Sequence, residues 1–507
     1  MKNIFGSIKS HAPGKNTFDL SHEKKMSIQM GALIPILNQE ILPGDSIKCN
    51  SEIFMRLAPM IAPMMHRVNV YTHFFFVPNR IIWDEWEDFI TGGPDGDLAP
   101  VHPYVQMNAA NEWYFKPGKL ADYMGLPSYG STPAQSINVS ALPFRAYYEI
   151  FNEYYRDQNL DDGVDFDKGS GLADPIILNI QNRCWEKDYF TSCLPWSQRG
   201  GEVGIPVDFQ YSTNSQLYNS DGTPGNDGQL TSSAGGKLTV HGTVGRVENL
   251  ADNSVNVPIT DLRKSVRLQE YLELMARGGS RYIEQLKSIF GVNSSDARLQ
   301  RPEYLGGGKQ PVVISETLQT SATNTQDTAV DASIQGTMAG HGISVGKSNS
   351  FKKRFEEHGH VIGIMSVLPR TAYQQGINRS WTRFDKFDHY IPQFAHIGEQ
   401  EVLNQEIYAD LDDDAQVNTG TFGYQSRYAE YKYKESTVHG DFRDTLDYWH
   451  MGRKFSAPPV LNKDFVSSDP TQRVFAVTDP DEHKLYVQVY NRLKAIRPMP
   501  YHNDPRL

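Results

Sequence analysis

The clearest pattern in the chain is the alternation at 67–76. Val68, Val70, Thr72, Phe74 and Phe76 are set against Arg67, Asn69, Tyr71, His73 and Phe75. A period of two predicts a strand with one strongly apolar face, and Pro78 stops it. Ile82, Trp86, Phe89 and Ile90 then fall on one side of a short helix that Gly92, Gly93 and Pro94 end. Residues 94–140 hold no long periodic stretch and read as a structured loop. Pro143 suits a first helical turn, and Phe144, Tyr147, Tyr148, Phe151, Tyr154 and Tyr155 repeat at helical spacing after it. Such an aromatic stripe reads first as core packing and second as a subunit contact.

Polar residues dominate 211–236, which reads as an exposed loop or tip. The alternation at 237–247 then predicts a strand, so 207–258 reads as a polar surface insertion with some β structure. Two helices follow. Asp261 caps the first, with Leu268, Tyr271, Leu272 and Met275 on its apolar face; Ser280 caps the second, which Gly291 stops. Further strands are expected at 311–314, 361–368, 424–433 and 485–496. Strands so far apart need long connections, which favours a Greek-key or jelly-roll sandwich over a meander. The first 25 residues show no periodicity and read as an extended arm, with 26–507 as one domain.

Charge narrows the function. The formal net charge is −11, so a surface basic all over is excluded, though a local basic patch is not. Three cysteines exclude a disulfide scaffold and a four-thiolate zinc site. No apolar run is long enough for a membrane-spanning helix, and the first residues do not read as a secretory signal. The 26 tyrosines, with Arg and Met, suit large protein–protein interfaces.

Candidate chemistry is thin. Gly342-Ile343-Ser344-Val345-Gly346 matches a nucleophile elbow, but Lys347-Ser348-Asn349-Ser350 is a poor helix start. Gly306-Gly307-Gly308-Lys309 lacks the upstream glycine and the hydroxyl of a phosphate loop, and reads as a turn. Glu356, His358 and His360 share a strand face without a definable ligand set, and Asp412-Asp413-Asp414 reads as a solvated loop. Cys184 and Cys193 read as buried thiols. No catalytic residue, metal site or cofactor is expected. The densest basic cluster is Lys347, Lys352, Lys353 and Arg354, interleaved with Phe351 and Phe355. That mixture can track a nucleic-acid strand and stack its bases, or it can be a solvated face. A carbohydrate-active β protein and a single-stranded-DNA-binding protein stay open as alternatives on residues alone.

Ordered segments over nearly the whole chain resemble the major capsid proteins of the Microviridae, the gokushovirus branch most of all. They include 36–44 (ILNQEILPG), 73–86 (HFFFVPNRIIWDEW), 142–159 (LPFRAYYEIFNEYYRDQN) and 188–198 (DYFTSCLPWSQ). Others are 276–308, 358–367 (HGHVIGIMSV), 373–379 (YQQGINR), 396–409 (HIGEQEVLNQEIYA), 423–433 (GYQSRYAEYKY) and 492–500 (RLKAIRPMP). The resemblance implies a mainly β fold, an eight-stranded viral jelly-roll sandwich with long loop insertions and a few short helices. It implies pentamers and a T=1 icosahedral shell of roughly sixty copies around circular single-stranded DNA, assembled with other virion and assembly proteins in a bacterial cytoplasm. It also implies a small basic internal DNA-binding protein, which the acidic charge of this chain would require, and a host surface receptor. On this reading Lys2, Lys9, Lys15, Lys24, Lys25, Lys347, Lys352, Lys353 and Arg354 face nucleic acid, and Asn219, Asp221, Asn226 and Asp227 lie on an exposed host-facing loop.

Overall fold

The computed structural model describes residues 14–318 and 338–502, apart from 96, 129–134, 202, 204–215, 220–228, 233–237, 242–243, 249–258, 280–281 and 412–414. The chain divides into two compact units, 198–277 and the remainder.

The larger unit is built on two antiparallel sheets. Its strands are β1 (Asn16–Asp19), β2 (His22–Ile28), β3 (Ile34–Ile41), β4 (Ser46–Leu57) and β5 (Val68–Pro78). After a long excursion come β6 (Glu303–Pro311), β7 (Val313–Leu318), β8 (Met338–Arg354), β9 (Gly359–Pro369) and β10 (Leu485–Arg497). A six-stranded sheet runs β1–β10–β4–β8–β7, with β2 also pairing β10; a four-stranded sheet runs β6–β5–β9–β3. Both sheets feed one core. Ile47, Cys49, Ile53, Met55, Phe351 and Leu493 from the first meet Val70, Phe74, Phe76, Val361 and Met365 from the second.

A helix covers the other side of the four-stranded sheet. It spans Leu142–Ile150 (α1) with a proline in its first turn, and a π turn over Phe151–Tyr155 prolongs it. Phe144, Tyr147, Tyr148 and Phe151 pack with Phe75, Val77, Ile362 and Ile364 from that sheet. Buried phenols need acceptors: Tyr147 donates to Leu33 O at 2.9 Å, and Tyr148 to Ile176 O and Asn179 O at 2.8 Å. The aromatic stripe is thus core. The strand at 68–78 corrects the expectation of one apolar face, because it lies in the middle of three layers and is buried on both faces.

Other expectations are also corrected. The residues taken for a free arm are β1 and β2 from Asn16 onward, paired with β10; residues 1–13 lie outside the described part. Gly306–Lys309 is not a turn but part of β6, paired with β5. Its glycines permit that close approach, since a Cβ at Gly307 would lie 2.2 Å from Thr72 O. The stretch 94–140 contains a small antiparallel pair, Tyr104–Met107 with Ile137–Ser140. The strand here is Thr421–Ser426, so only 424–426 of the expected strand at 424–433 is extended; Tyr428 adopts a left-handed conformation, φ 63°, and a 3₁₀ turn follows.

In the smaller unit, Gln229–Ser232 pairs with Leu238–His241, and Gln216–Asn219 pairs with Val244–Glu248. The strand expected over 237–247 is therefore two, in separate pairs. A helix over Ile259–Gly278 follows, burying Met275 and Ala276 while Leu268 and Tyr271 stay exposed. The first helical residue is Ile259, so Asp261 is inside the helix and not its cap.

Candidate nucleic-acid interface

Residues directly opposite in adjacent strands share a face. The register of the six-stranded sheet sets Lys352 of β8 opposite Lys48 of β4, Lys48 opposite Lys494 of β10, and Lys494 opposite Asp19 of β1. Inward neighbours Ile47, Cys49, Leu493 and Ala495 are buried, and the three lysines are exposed. The next row on one side joins Ile496, Ser46 and Arg354; on the other it joins Arg492, Asn50 and Ser350. Arg354 and Arg492 are exposed as well. These three rows hold Lys48, Lys352, Arg354, Arg492 and Lys494, with Asp19 as their carboxylate.

Like charges held one strand apart, about 4.8 Å, repel. An anion across the rows relieves that repulsion. Asp19 already responds to it. Hydrogen bonds from Ser21 hold its carboxyl below the usual range, and Lys494 and Arg492 lower it further. Farther along the outward face stand Tyr490, Tyr486 and Phe54, the kind of ring on which unpaired bases stack.

The structure redistributes the residues singled out from sequence. Lys352 and Arg354 belong to the rows. Lys353 points to the opposite side and pairs with Glu303, so it is removed from the candidate set. Phe351 and Phe355 do not interleave outward; they are buried against Phe74 and Phe76. Lys15 is exposed, its Nζ 3.4 Å from Gly44 O. Lys25 is exposed and 4.0 Å from Glu23. Lys2, Lys9, Asp221, Asn226, Asp227 and the side chain of Lys347 lie outside the described residues. Asn219 ends a paired strand and does not sit in an open loop. Lys48, Arg492 and Lys494 escaped sequence reading, and only the outward phase of 46–57 and 485–497 carried a trace of them.

Lys24 turns inward, and its Nζ donates to Tyr123 O at 3.0 Å. Burial pulls its ammonium down from 10.5 to about 8, against the opposing effect of Asp122. The unfolded chain therefore binds more protons between those values, so this group makes stability rise with pH from about 8 to 10.5. Below about 8 its penalty is constant. Lys24→Met is expected to remove that rise, on the order of 1–3 kcal/mol, and to leave stability at pH 7 equal or higher. Urea midpoints across this pH range check it; an undiminished rise contradicts the assignment.

The motifs of catalysis find no support here. Ser344 lies inside β8, buried, donating to Pro311 O and accepting from Gln310 Nε2, each at 2.9 Å. That is a strand interior, not a strained turn before a helix. Cys184 and Cys193 are free thiols, and burial raises both; Cys184 reaches about 11. Among the described residues no three His, Cys, Asp or Glu side chains converge to hold a metal. No described helix is long and apolar enough to cross a membrane.

Comparison with known proteins accounts for the whole chain. The family model described as capsid protein (F protein) matches residues 6–507. Capsid protein VP1 of Chlamydia phage 1 is 35% identical over 600 residues, covering 100% of this chain and 98% of its own. Capsid protein VP1 of Bdellovibrio phage phiMH2K is 35% identical over 528 residues, covering 99% and 97%. Capsid protein VP1 of Spiroplasma virus 4 is 32% identical over 551 residues, with 99% and 97% covered.

Proposed function

We propose that this chain, which belongs to the capsid protein (F protein) family and is a major capsid protein of a gokushovirus-like phage of the Microviridae, closes a T=1 shell of roughly sixty copies around circular single-stranded DNA. End-to-end similarity to capsid proteins carries the reading, because the match spans the chain and not one shared module. The sheets fit an eight-stranded jelly roll if β1 and β2 count as one strand interrupted at Leu20-Ser21. The second merger is β6 with β7, one strand that passes between the sheets at Pro311-Val312.

The outward face of the six-stranded sheet, whose row of three lysines has only Asp19 opposite it, faces the DNA. A net charge of −11 per chain cannot neutralise a packed genome. A small basic internal protein or polyamines therefore supply the balance. Pentamers are the assembly intermediate, and assembly takes place in the host cytoplasm with other virion proteins. Nuclease treatment of purified particles tests the enclosure. Protected circular single-stranded DNA co-sedimenting with the shell is expected; digestion of all associated DNA contradicts it.

The polar stretch 211–236 contacts the host surface, since polar loop sequences tolerate change and suit recognition. Its deletion is expected to leave particle yield within about twofold and to lower adsorption to host cells at least about tenfold. Loss of particles on deletion would instead place the stretch in an intersubunit contact.

A further inference from the structure

A second surface stands out in the larger unit. Residues 379–397 form short 3₁₀ turns at Arg379–Trp381, Lys386–Asp388 and Pro392–Phe394 and bury little of their own apolar content. Trp381 is 78% exposed and Phe384 92%, and Phe387, Tyr390, Ile397 and nearby Tyr431 are each exposed by 44% or more.

The segment is nevertheless tied down. Tyr428 donates to His389 O at 3.2 Å and accepts from Ile391 N–H at 3.3 Å; Tyr431 accepts from Tyr390 N–H at 3.3 Å. Arg427 donates to Phe387 O at 3.1 Å. Charges beneath the patch are neutralised within the subunit, Arg379 by Glu406 and Arg383 by Glu430, each at 3.1 Å. The backbone is thus held while the rings face solvent.

Rings of this size each bury about 150–250 Å². Scaled by their exposure, the six side chains offer about 800 Å², which is about the share one partner contributes to a stable interface. A preorganised aromatic patch of that area, with its two arginines paired and with Asp385 and Asp388 exposed beside Lys386, fits a largely apolar counterpart and not phosphate. We propose that 379–397, with Phe384 as its most exposed ring, is a contact between copies of this chain. The inference rests on the capsid reading and names a surface through which it acts.

The test uses the full chain under conditions in which the wild type forms particles. Phe384→Asp and Ile397→Asp are compared with Phe384→Tyr. The expected result is a drop in particle yield of at least about tenfold for each aspartate variant. Near-wild-type assembly is expected for Phe384→Tyr, and an unchanged thermal midpoint for all free subunits, because these side chains are exposed. Hydrogen exchange is expected to slow in 379–397 when subunits enter particles. Normal assembly of both aspartate variants with no slowing overturns the inference and leaves the capsid reading standing. Slowing that appears only after another virion protein is added overturns it in favour of that partner. Failure of the wild type to form any particle, even with the other virion proteins present, overturns the capsid reading itself, and the inference with it.

Discussion

Replacing Phe75 with alanine is expected to destabilise the isolated subunit by about 3–5 kcal/mol, the range for removing a buried aromatic ring. Phe75 lies on β5, 2% exposed, on the side that faces α1. Its ring centroid is 4.7 Å from Tyr154, 5.5 Å from Tyr304 and 6.0 Å from Tyr155. Those rings come from the π turn after α1 and from β6, so one side chain joins the four-stranded sheet to its helical cover. Two of the three phenols around it are already committed. Tyr154 donates to Pro302 O at 2.6 Å, and Tyr155 is hydrogen-bonded to His73 Nδ1 at 2.8 Å. They cannot swing into the space left behind without losing those partners, so the cavity stays open and the cost falls in the upper part of the range. Phe75→Leu should cost markedly less. Chemical denaturation of both variants measures this. A loss below about 1 kcal/mol for alanine would mean the three-layer packing is not formed in solution.

Replacing Lys48, Lys352 and Lys494 together with glutamine is expected to reduce binding of single-stranded DNA and the DNA content of particles. Each phosphate contact on a single strand contributes about 0.7 to the slope of log K against log salt. Removing three should make that slope shallower by about 2. The same change removes two direct cross-strand repulsions, each costing about 0.2–1 kcal/mol, so the fold should be as stable as before or more so. The two readouts move in opposite directions, which a merely damaged sheet would not produce. Lys116→Gln is the control, since Lys116 pairs with Glu112 at 3.4 Å. An unchanged salt slope in the triple variant would show that the basic rows do not meet phosphate.

Local signals account for what was readable in the sequence. The strands at 68–78, 359–369 and 485–497 carry dense apolar residues between clear stops, and α1 carries its aromatic stripe. These parts of the fold are legible because each is specified within about ten residues. Burial of β5 on both faces was not, because the aromatics at its odd positions, Tyr71, His73 and Phe75, meet α1 and β6 residues far away in sequence. β1 and β2 looked like an arm for the same reason. Their partner is β10, some 470 positions later, as in Asp19 opposite Lys494. β8 was hidden by its glycines and serines. A Cβ at Gly342 would lie 2.6 Å from Leu57 Cδ1, so the small residue there marks close packing.

The basic site shows both sides of this. Lys352 and Arg354 were found because they cluster locally. Lys353 was a false companion, since adjacent residues in a strand face opposite ways. Lys48 and Lys494 sit alone in their segments and acquire meaning only through register. The surface at 379–397 gave no signal, because aromatic content in a chain this rich in tyrosine reads equally as core.

Closure of this chain into a shell is read from the mass of the native particle, by sedimentation with electron micrographs of the same sample. A closed, uniform particle of roughly sixty subunits is expected. A stable monomer or small oligomer that stays so in the presence of the other virion proteins would contradict it.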